Sequence, residues 1–325
     1  MEEKIETIPD MKDEDGDTCE DIGAITTWMK ECVSYTLNKN YDIRAINFST
    51  HGASMVHLNK EGEPVAPLYD YLKPVTPSLH TDFYGLFGGE KTFSLETGSP
   101  ALDMLNSGIQ LFWLENYKPD IFKKIHTSLH LPQYANYVFS GKTHTDITSI
   151  GCHTGLWDFR KGQYHSWLIK EGLTHLLPPP ENTKSFDEIA IGKNKIPVGI
   201  GLHDSTAALL PFIYTAKEPF VLLSSGTWNI SLNPYYEGEL QPSDYEKDCL
   251  YFLSDINKKI AASRLFLGNE YQYQVKLLEK WYNKSDRYHL SVLPNEDIFL
   301  KVINKQSPAT FFYPATMKGS GPIPG

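Results

Sequence analysis

Hydrophobic and polar positions along this chain switch between a helical and a two-residue period, and the switches mark out its elements. Ile22, Ile25, Met29, Cys32 and Val33 recur at helical spacing and predict a helix near the N-terminus. Thr18 with Asp21 makes a capping-box pattern ahead of it. Tyr41–Phe48 reads as a buried strand. Ser54–Leu58, the turn Glu61-Gly62-Glu63-Pro64 and Val65–Tyr71 read as a hairpin. Leu105, Ile109, Phe112 and Trp113 form one apolar helix face, and Pro178-Pro179-Pro180 marks a loop. Ile196–Ile200 is a short apolar strand, with a helix expected over Thr206–Ile213. Phe220–Leu223 and Asn229–Leu232 read as strands, and helical periodicity over Arg264–Trp281 follows Gly268. Strands and helices mixed in this way predict α/β layers, with no internal repeat.

The chain has 325 residues, room for about two domains. The polar connector Thr215-Ala216-Lys217-Glu218-Pro219 suggests a boundary, giving domains 1–215 and 216–325. With 41% hydrophobic and 22% charged residues, a packed core is expected and global disorder is not. A net charge of −10 argues against nucleic acid or an anionic membrane as partner. There is no apolar run long enough for a membrane-spanning helix, and Met1-Glu2-Glu3-Lys4 does not begin a signal peptide. Cys19, Cys32, Cys152 and Cys249 are scattered, with no C-x-x-C pair, as in a cytoplasmic protein with reduced thiols. A homo-oligomer is compatible with all of this.

Candidate chemistry concentrates in the middle of the chain. Gly201-Leu202-His203-Asp204-Ser205-Thr206-Ala207 is a strand end that presents a carboxylate at a helix start. Asp204 has two readings there: an N-cap, worth ~1 kcal/mol, or a general base at the carboxyl end of a strand, where open α/β sheets place ligands. Ser224-Ser225-Gly226-Thr227-Trp228 is either an ordinary hairpin turn or a phosphate cradle of backbone N–H groups and hydroxyls. No lysine follows it, so it is not a Walker motif. Ser49-Thr50-His51-Gly52-Ala53 reads as a tight turn or as part of a polyol site, and Asp70, between Tyr69 and Tyr71, as a strand-end carboxylate or an acceptor of sugar hydroxyls. Asp13, Asp15 and Asp17 are spaced like calcium ligands, but Gly16 stands in the wrong place for an EF-hand, which favours a solvated loop. His126 and His130 have metal-ligand spacing without an intervening Glu or a third ligand, and a surface or core role is expected.

Taken in order, these segments resemble the FGGY carbohydrate kinases, on their rhamnulokinase and fuculokinase side. The resemblance runs through Ser49–Gly52, the Leu105–Asn116 helix, Phe139-Ser140-Gly141-Lys142 with Asp146 and Thr148, Gly201–Ala207 and Ser224–Trp228. Gln110 stands where the family signature usually has Lys. The resemblance implies a two-domain actin–hexokinase-like (ribonuclease H-like) fold in which sugar and ATP meet in a cleft. It implies that Asp204 takes the proton of a ketose hydroxyl, that Gly52, His51, Asp70, His203 and Ser205 contact the sugar, and that Ser225, Gly226 and Thr227 contact the ATP phosphates. Gln272 and Gln274 straddle the place of a further nucleotide contact. The family's D-x-G-T-type turn, which helps place Mg²⁺, and its glycine-rich adenosine site have no counterpart here. The expectation is therefore an N-terminal domain without its first strands, an incomplete C-terminal domain and no metal ligands.

Two further classes stay in view. One is a sugar-binding remnant or regulator without phosphotransfer. The other is a hydrolase using Asp204 and His203, disfavoured because adjacent residues on a turn rarely aim at one atom and no G-x-S-x-G elbow is present.

Overall fold

The computed structural model describes residues 2–39, 41–191, 194–304, 316–318 and 321–322. The chain divides into two compact units, Met1–Leu222 with Leu232–Ala262, and Leu223–Ser231 with Ser263–Gly325. The helix Asp204–Thr215 runs up to the polar connector.

In the first unit, Asp21 caps the helix Ile22–Asn38, its carboxylate accepting from the Ala24 N–H at 2.9 Å. Thr18 is not the cap: it lies in the strand Thr18–Glu20, which pairs antiparallel with Leu68–Tyr69. The expected hairpin is accordingly short. Its arms meet near the turn, where Leu58 bridges Pro64 and the Val65 N–H reaches the His57 carbonyl at 2.9 Å. Beyond that, Met55–Leu58 pairs with Thr127–His130 instead. The apolar face of the first helix, Ile22, Ile25 and Met29, packs on Val56, Leu58, Leu68, Leu129, Leu131 and Tyr134.

The larger core is aromatic. Phe83 meets the rings of Tyr84, Phe87, Phe93, Phe112 and Trp167 edge-on, with centroids 5.0–5.2 Å apart, in the geometry that the ring quadrupoles favour. Into this core runs the helix Ser107–Tyr117, buried on all sides from Ser107 to Leu114 rather than along one face. Leu105 falls in a 3-10 turn before it.

Two expectations fail outright. Tyr41–Phe48 is neither buried nor a strand. Ile46 bridges Val198, and the Phe48 carbonyl accepts the Leu202 N–H at 3.0 Å. The Asp13–Asp17 loop is not simply solvated. Lys73, buried beneath it, places its ammonium 2.7 Å from Asp13, 2.5 Å from Asp17 and 3.2 Å from Asp15. A side-chain cation thus occupies the centre that calcium-like spacing suggested. His126 is exposed, whereas His130 is a core residue bonded to the Ser107 hydroxyl at 3.0 Å.

The second unit contains the bend Gly226–Trp228 and the helix Leu267–Trp281.

Candidate active site

Two short strands create the site in the first unit. Ser49–Thr50 and Leu202–His203 run parallel, with His203 opposite Thr50. Parallel pairing carries the residues after each strand to the same end, so His51-Gly52 and Asp204 emerge side by side. Gly52 lies against His203: a Cβ there would come within 3.0 Å of the imidazole and 3.1 Å of the Cys152 sulfur. Only glycine fits without moving one of them.

Asp204 is not the helix cap. His203 occupies that position and Asp204 is the first helical residue. Its Oδ1 accepts from the Ser205 N–H at 2.5 Å and the Ser205 hydroxyl at 3.2 Å, and lies 3.3 Å from His203 Nε2. Oδ2 makes no hydrogen bond among the described residues, and the side chain is half exposed. The helix N-terminus favours its negative charge. One oxygen is held and the other is presented, which suits a proton acceptor.

Ser205 is buried, and its hydroxyl is turned to Asp204. His203 is buried too, and burial lowers its pKa more than the Asp204 carboxylate raises it, so the ring is neutral near pH 7. His51 bonds to the Ser54 hydroxyl at 3.0 Å and tilts over Tyr71 with ring centroids 5.8 Å apart. Asp70 accepts from the Leu72 N–H at 2.7 Å and adds negative potential to Glu20, which lies 4.0 Å from His51. Burial raises the Glu20 carboxyl, and His51 works against that rise. Glu20, absent from the sequence-level set, is thus the residue that couples Asp70 to His51. It reaches them through strand pairing from a distant segment, and no local pattern points to it.

Two further residues hold the turn and the strand. Gln110 donates from Nε2 to the Ala53 carbonyl at 2.6 Å and to the Met104 carbonyl at 3.0 Å. It pins Ala53 in a left-handed conformation, φ 67°, that a non-glycine residue adopts only when the surroundings require it. Thr148 accepts the His203 N–H on its hydroxyl at 3.1 Å, and that hydroxyl in turn donates to Asp146.

Asp146 is fully buried, caps the helix Ile147–Ile150, and keeps one oxygen without a partner. Burial pushes its carboxyl up to about 7 against the opposing hydrogen bonds. A raised pKa means that the folded state holds the proton more tightly, so this stabilisation is full below the ordinary carboxylate range and is lost as pH rises toward 7. The stability of the wild type relative to Asp146→Asn is therefore expected to fall steadily from pH 4 to about 7. Urea denaturation midpoints at four pH values check this, and parallel pH profiles for the two proteins would refute it.

In the second unit, Ser225, Gly226 and Thr227 are exposed. A Cβ on Gly226 would meet only the Trp228 carbonyl, at 3.8 Å, so its face is open. Behind it stands Gly268, whose N–H bonds the Thr227 carbonyl at 3.1 Å; a Cβ on Gly268 would lie 1.7 Å from the Gly226 oxygen. Backbone from two segments thus packs at glycine distance, and Ser225, Gly226 and Thr227 stay exposed. This donor set fits a phosphate.

The profile of the FGGY family of carbohydrate kinases, N-terminal domain, matches residues 2–211. The chain belongs to this family. Among its relatives are the rhamnulokinase of Yersinia pestis (strain Pestoides F), 25% identical over 232 residues, and that of Halalkalibacterium halodurans, 25% identical over 240. The alignments cover 68% and 67% of this FGGY chain and 46% and 48% of those proteins, so it spans about half the length of the curated relatives it matches. Among solved structures, a carbohydrate kinase from Novosphingobium aromaticivorans superposes with a TM-score of 0.70 at 25% identity, over 83% of this chain and 60% of that one. A xylulose kinase from Lactobacillus acidophilus gives 0.68 at 18% identity, over 81% and 55%. The fold is that of the actin–hexokinase-like sugar kinases. No helix among the described residues is long and apolar enough to cross a membrane.

Proposed function

We propose that this FGGY chain takes part in ATP-dependent phosphorylation of a ketose, such as rhamnulose, fuculose or xylulose, with Asp204 as general base. The observation that carries the reading is the parallel pairing of Ser49–Thr50 with Leu202–His203, which sets the glycine turn beside a carboxylate whose Oδ2 makes no hydrogen bond among the described residues. The relatives named rhamnulokinase support the choice of sugar class.

In this reading the ketose lies beside the turn at Gly52, which is glycine because His203 and Cys152 pack against it. Neutral His203 lines its floor, and His51 and Asp70 bond hydroxyls at the rim. The reacting hydroxyl gives its proton to Asp204 Oδ2, while Ser205 holds Oδ1 and so fixes the carboxylate plane. Bound MgATP supplies the phosphoryl group, and phosphoryl transfer depends chiefly on positioning and charge stabilisation. Ser225, Gly226 and Thr227 would hold phosphate oxygens. The Asp13–Asp17 carboxylates do not fit Mg²⁺, because the Lys73 ammonium already occupies the place between them.

The test is a screen of ketoses with MgATP that follows ADP release, paired with the thermal transition of the chain in each sugar. One sugar is expected both to raise the transition and to drive ADP release. A raised transition without ADP would favour the sugar-binding class over the kinase. No response to any ketose would sink the reading.

A further inference from the structure

Beneath the sugar pocket lies a cluster that the phosphotransfer reading does not use. One ligand atom each from Cys152, His153 and His203 lies within 4.8 Å of the other two, and all three residues are buried. Cys152 and His153 follow the helix Ile147–Ile150, whereas His203 comes from a strand about fifty residues further on. The Thr148 hydroxyl accepting the His203 N–H ties the two segments together, so the cluster is assembled before anything binds.

We propose that Cys152, His153 and His203 form a binding site for a thiophilic divalent cation, Zn²⁺, and that its occupancy blocks the sugar pocket. The second half of this statement rests on the sugar-kinase reading; the first does not. One sulfur and two imidazoles are a donor set typical of zinc. His153 Nδ1 bonds the Leu105 carbonyl at 2.7 Å. That bond fixes the ring so that Nε2 carries the lone pair, the arrangement by which ligating histidines are oriented. His203 Nδ1 is buried and makes no hydrogen bond among the described residues, so the protein does not commit this imidazole on that side. The Asp204 carboxylate lies 3.3 Å from His203 Nε2, on the other side of the ring from Nδ1.

Binding is a simple exchange. The Cys152 S–H bond breaks, the proton leaves to solvent, and the sulfur electron pair forms the Zn–S bond, with no change of oxidation state. Because Gly52 rests against both His203 and Cys152, a cation drawing these side chains together alters the surface on which the sugar lies.

The experiment is a Co²⁺ titration of the 325-residue chain, without sugar or nucleotide, read by absorption. A thiolate-to-cobalt band in the near ultraviolet, with strong visible bands of a tetrahedral ion, is expected at one equivalent and is displaced by Zn²⁺. Cys152→Ser should lose the band, His153→Asn should bind about tenfold or more weakly, and Cys249→Ser should behave as wild type. Absence of a thiolate band in the wild type overturns the site without reliance on any variant. So does a band that survives in a folded Cys152→Ser. In a second arm, Zn²⁺ should suppress the thermal shift given by a ketose in the wild type but not in Cys152→Ser. A sugar shift indifferent to Zn²⁺ overturns the block while leaving the metal site standing. A failed titration leaves the kinase reading untouched, since the cobalt assay contains no substrate.

Discussion

Asp204→Asn is expected to lower sugar-dependent ADP formation by about 10²–10⁴-fold while leaving sugar affinity within about threefold. A general base contributes roughly that much, equal to about 3–5 kcal/mol of barrier. The geometry explains why the substitution isolates proton transfer. Oδ1 is engaged by the Ser205 N–H and hydroxyl, and an amide oxygen accepts both equally well. Asp204 is half exposed at a helix start, so folding loses little beyond a favourable charge near the helix N-terminus, ~0.3–1 kcal/mol. What the amide cannot do is take the hydroxyl proton. Initial rates at saturating sugar and MgATP, together with calorimetric sugar binding, check this. Turnover within about tenfold of wild type would remove Asp204 from the role of base. Turnover and sugar affinity lost together would reassign it to binding.

The elements with strong periodicity were legible in the sequence. The helix from Ile22 and the segment His203–Thr215 stand close to where the pattern put them. Misreadings came where a distant segment decided the outcome. Tyr41–Phe48 has the apolar content of a buried strand, yet burial needs cover on both faces, and the described structure holds its backbone to the neighbouring strands at Ile46 and Phe48. Val65–Tyr71 has the content of a hairpin arm, but Thr18–Glu20 takes over the pairing at Leu68–Tyr69. Lys73 shows the same limit in charge. Three aspartates at alternate positions suggest a metal loop, and an ammonium from fifty-six or more residues away fills it.

The candidate site was legible as motifs and not as a network. Asp204 stood out because its setting, strand end then helix start, is local. The structure removes the cap reading, because His203 holds that position, and the base role stands as the proposal above. Gln110 reads in the sequence as a departure from a family signature. In the structure it has a task of its own, which is to hold the Ala53 carbonyl beside the glycine turn. Asp146 and Thr148 were visible as part of a conspicuous segment, but the bond by which Thr148 joins the strand bearing His203 depends on folding.

Gly201→Ala is expected to destabilise the protein by about 3 kcal/mol or more. Two terms add. Gly201 has φ +82°, and forcing an L-residue into the left-handed region costs roughly 1–2 kcal/mol. In addition, the new Cβ would lie 2.5 Å from the Pro132 carbonyl oxygen and 2.7 Å from its carbon. Those atoms are backbone at the start of the helix Leu131–Ser140, so no side chain can swing aside, and overpacking of this kind costs about 1–3 kcal/mol. Gly172 provides the comparison. It has φ +70° with nothing within 4 Å of its would-be Cβ, so Gly172→Ala should cost only the conformational term. Urea midpoints of the two variants separate clash from strain, and equal losses would show that Pro132 moves freely. The site reports independently. Gln133 Nε2 bonds the Ile200 and Gly201 carbonyls at 3.1 and 3.0 Å, and the strand Leu202–His203 follows directly. A shift between Pro132 and Gly201 is therefore passed to His203 and Asp204, and Gly201→Ala should weaken ketose binding even in the fraction that folds, whereas Gly172→Ala should not.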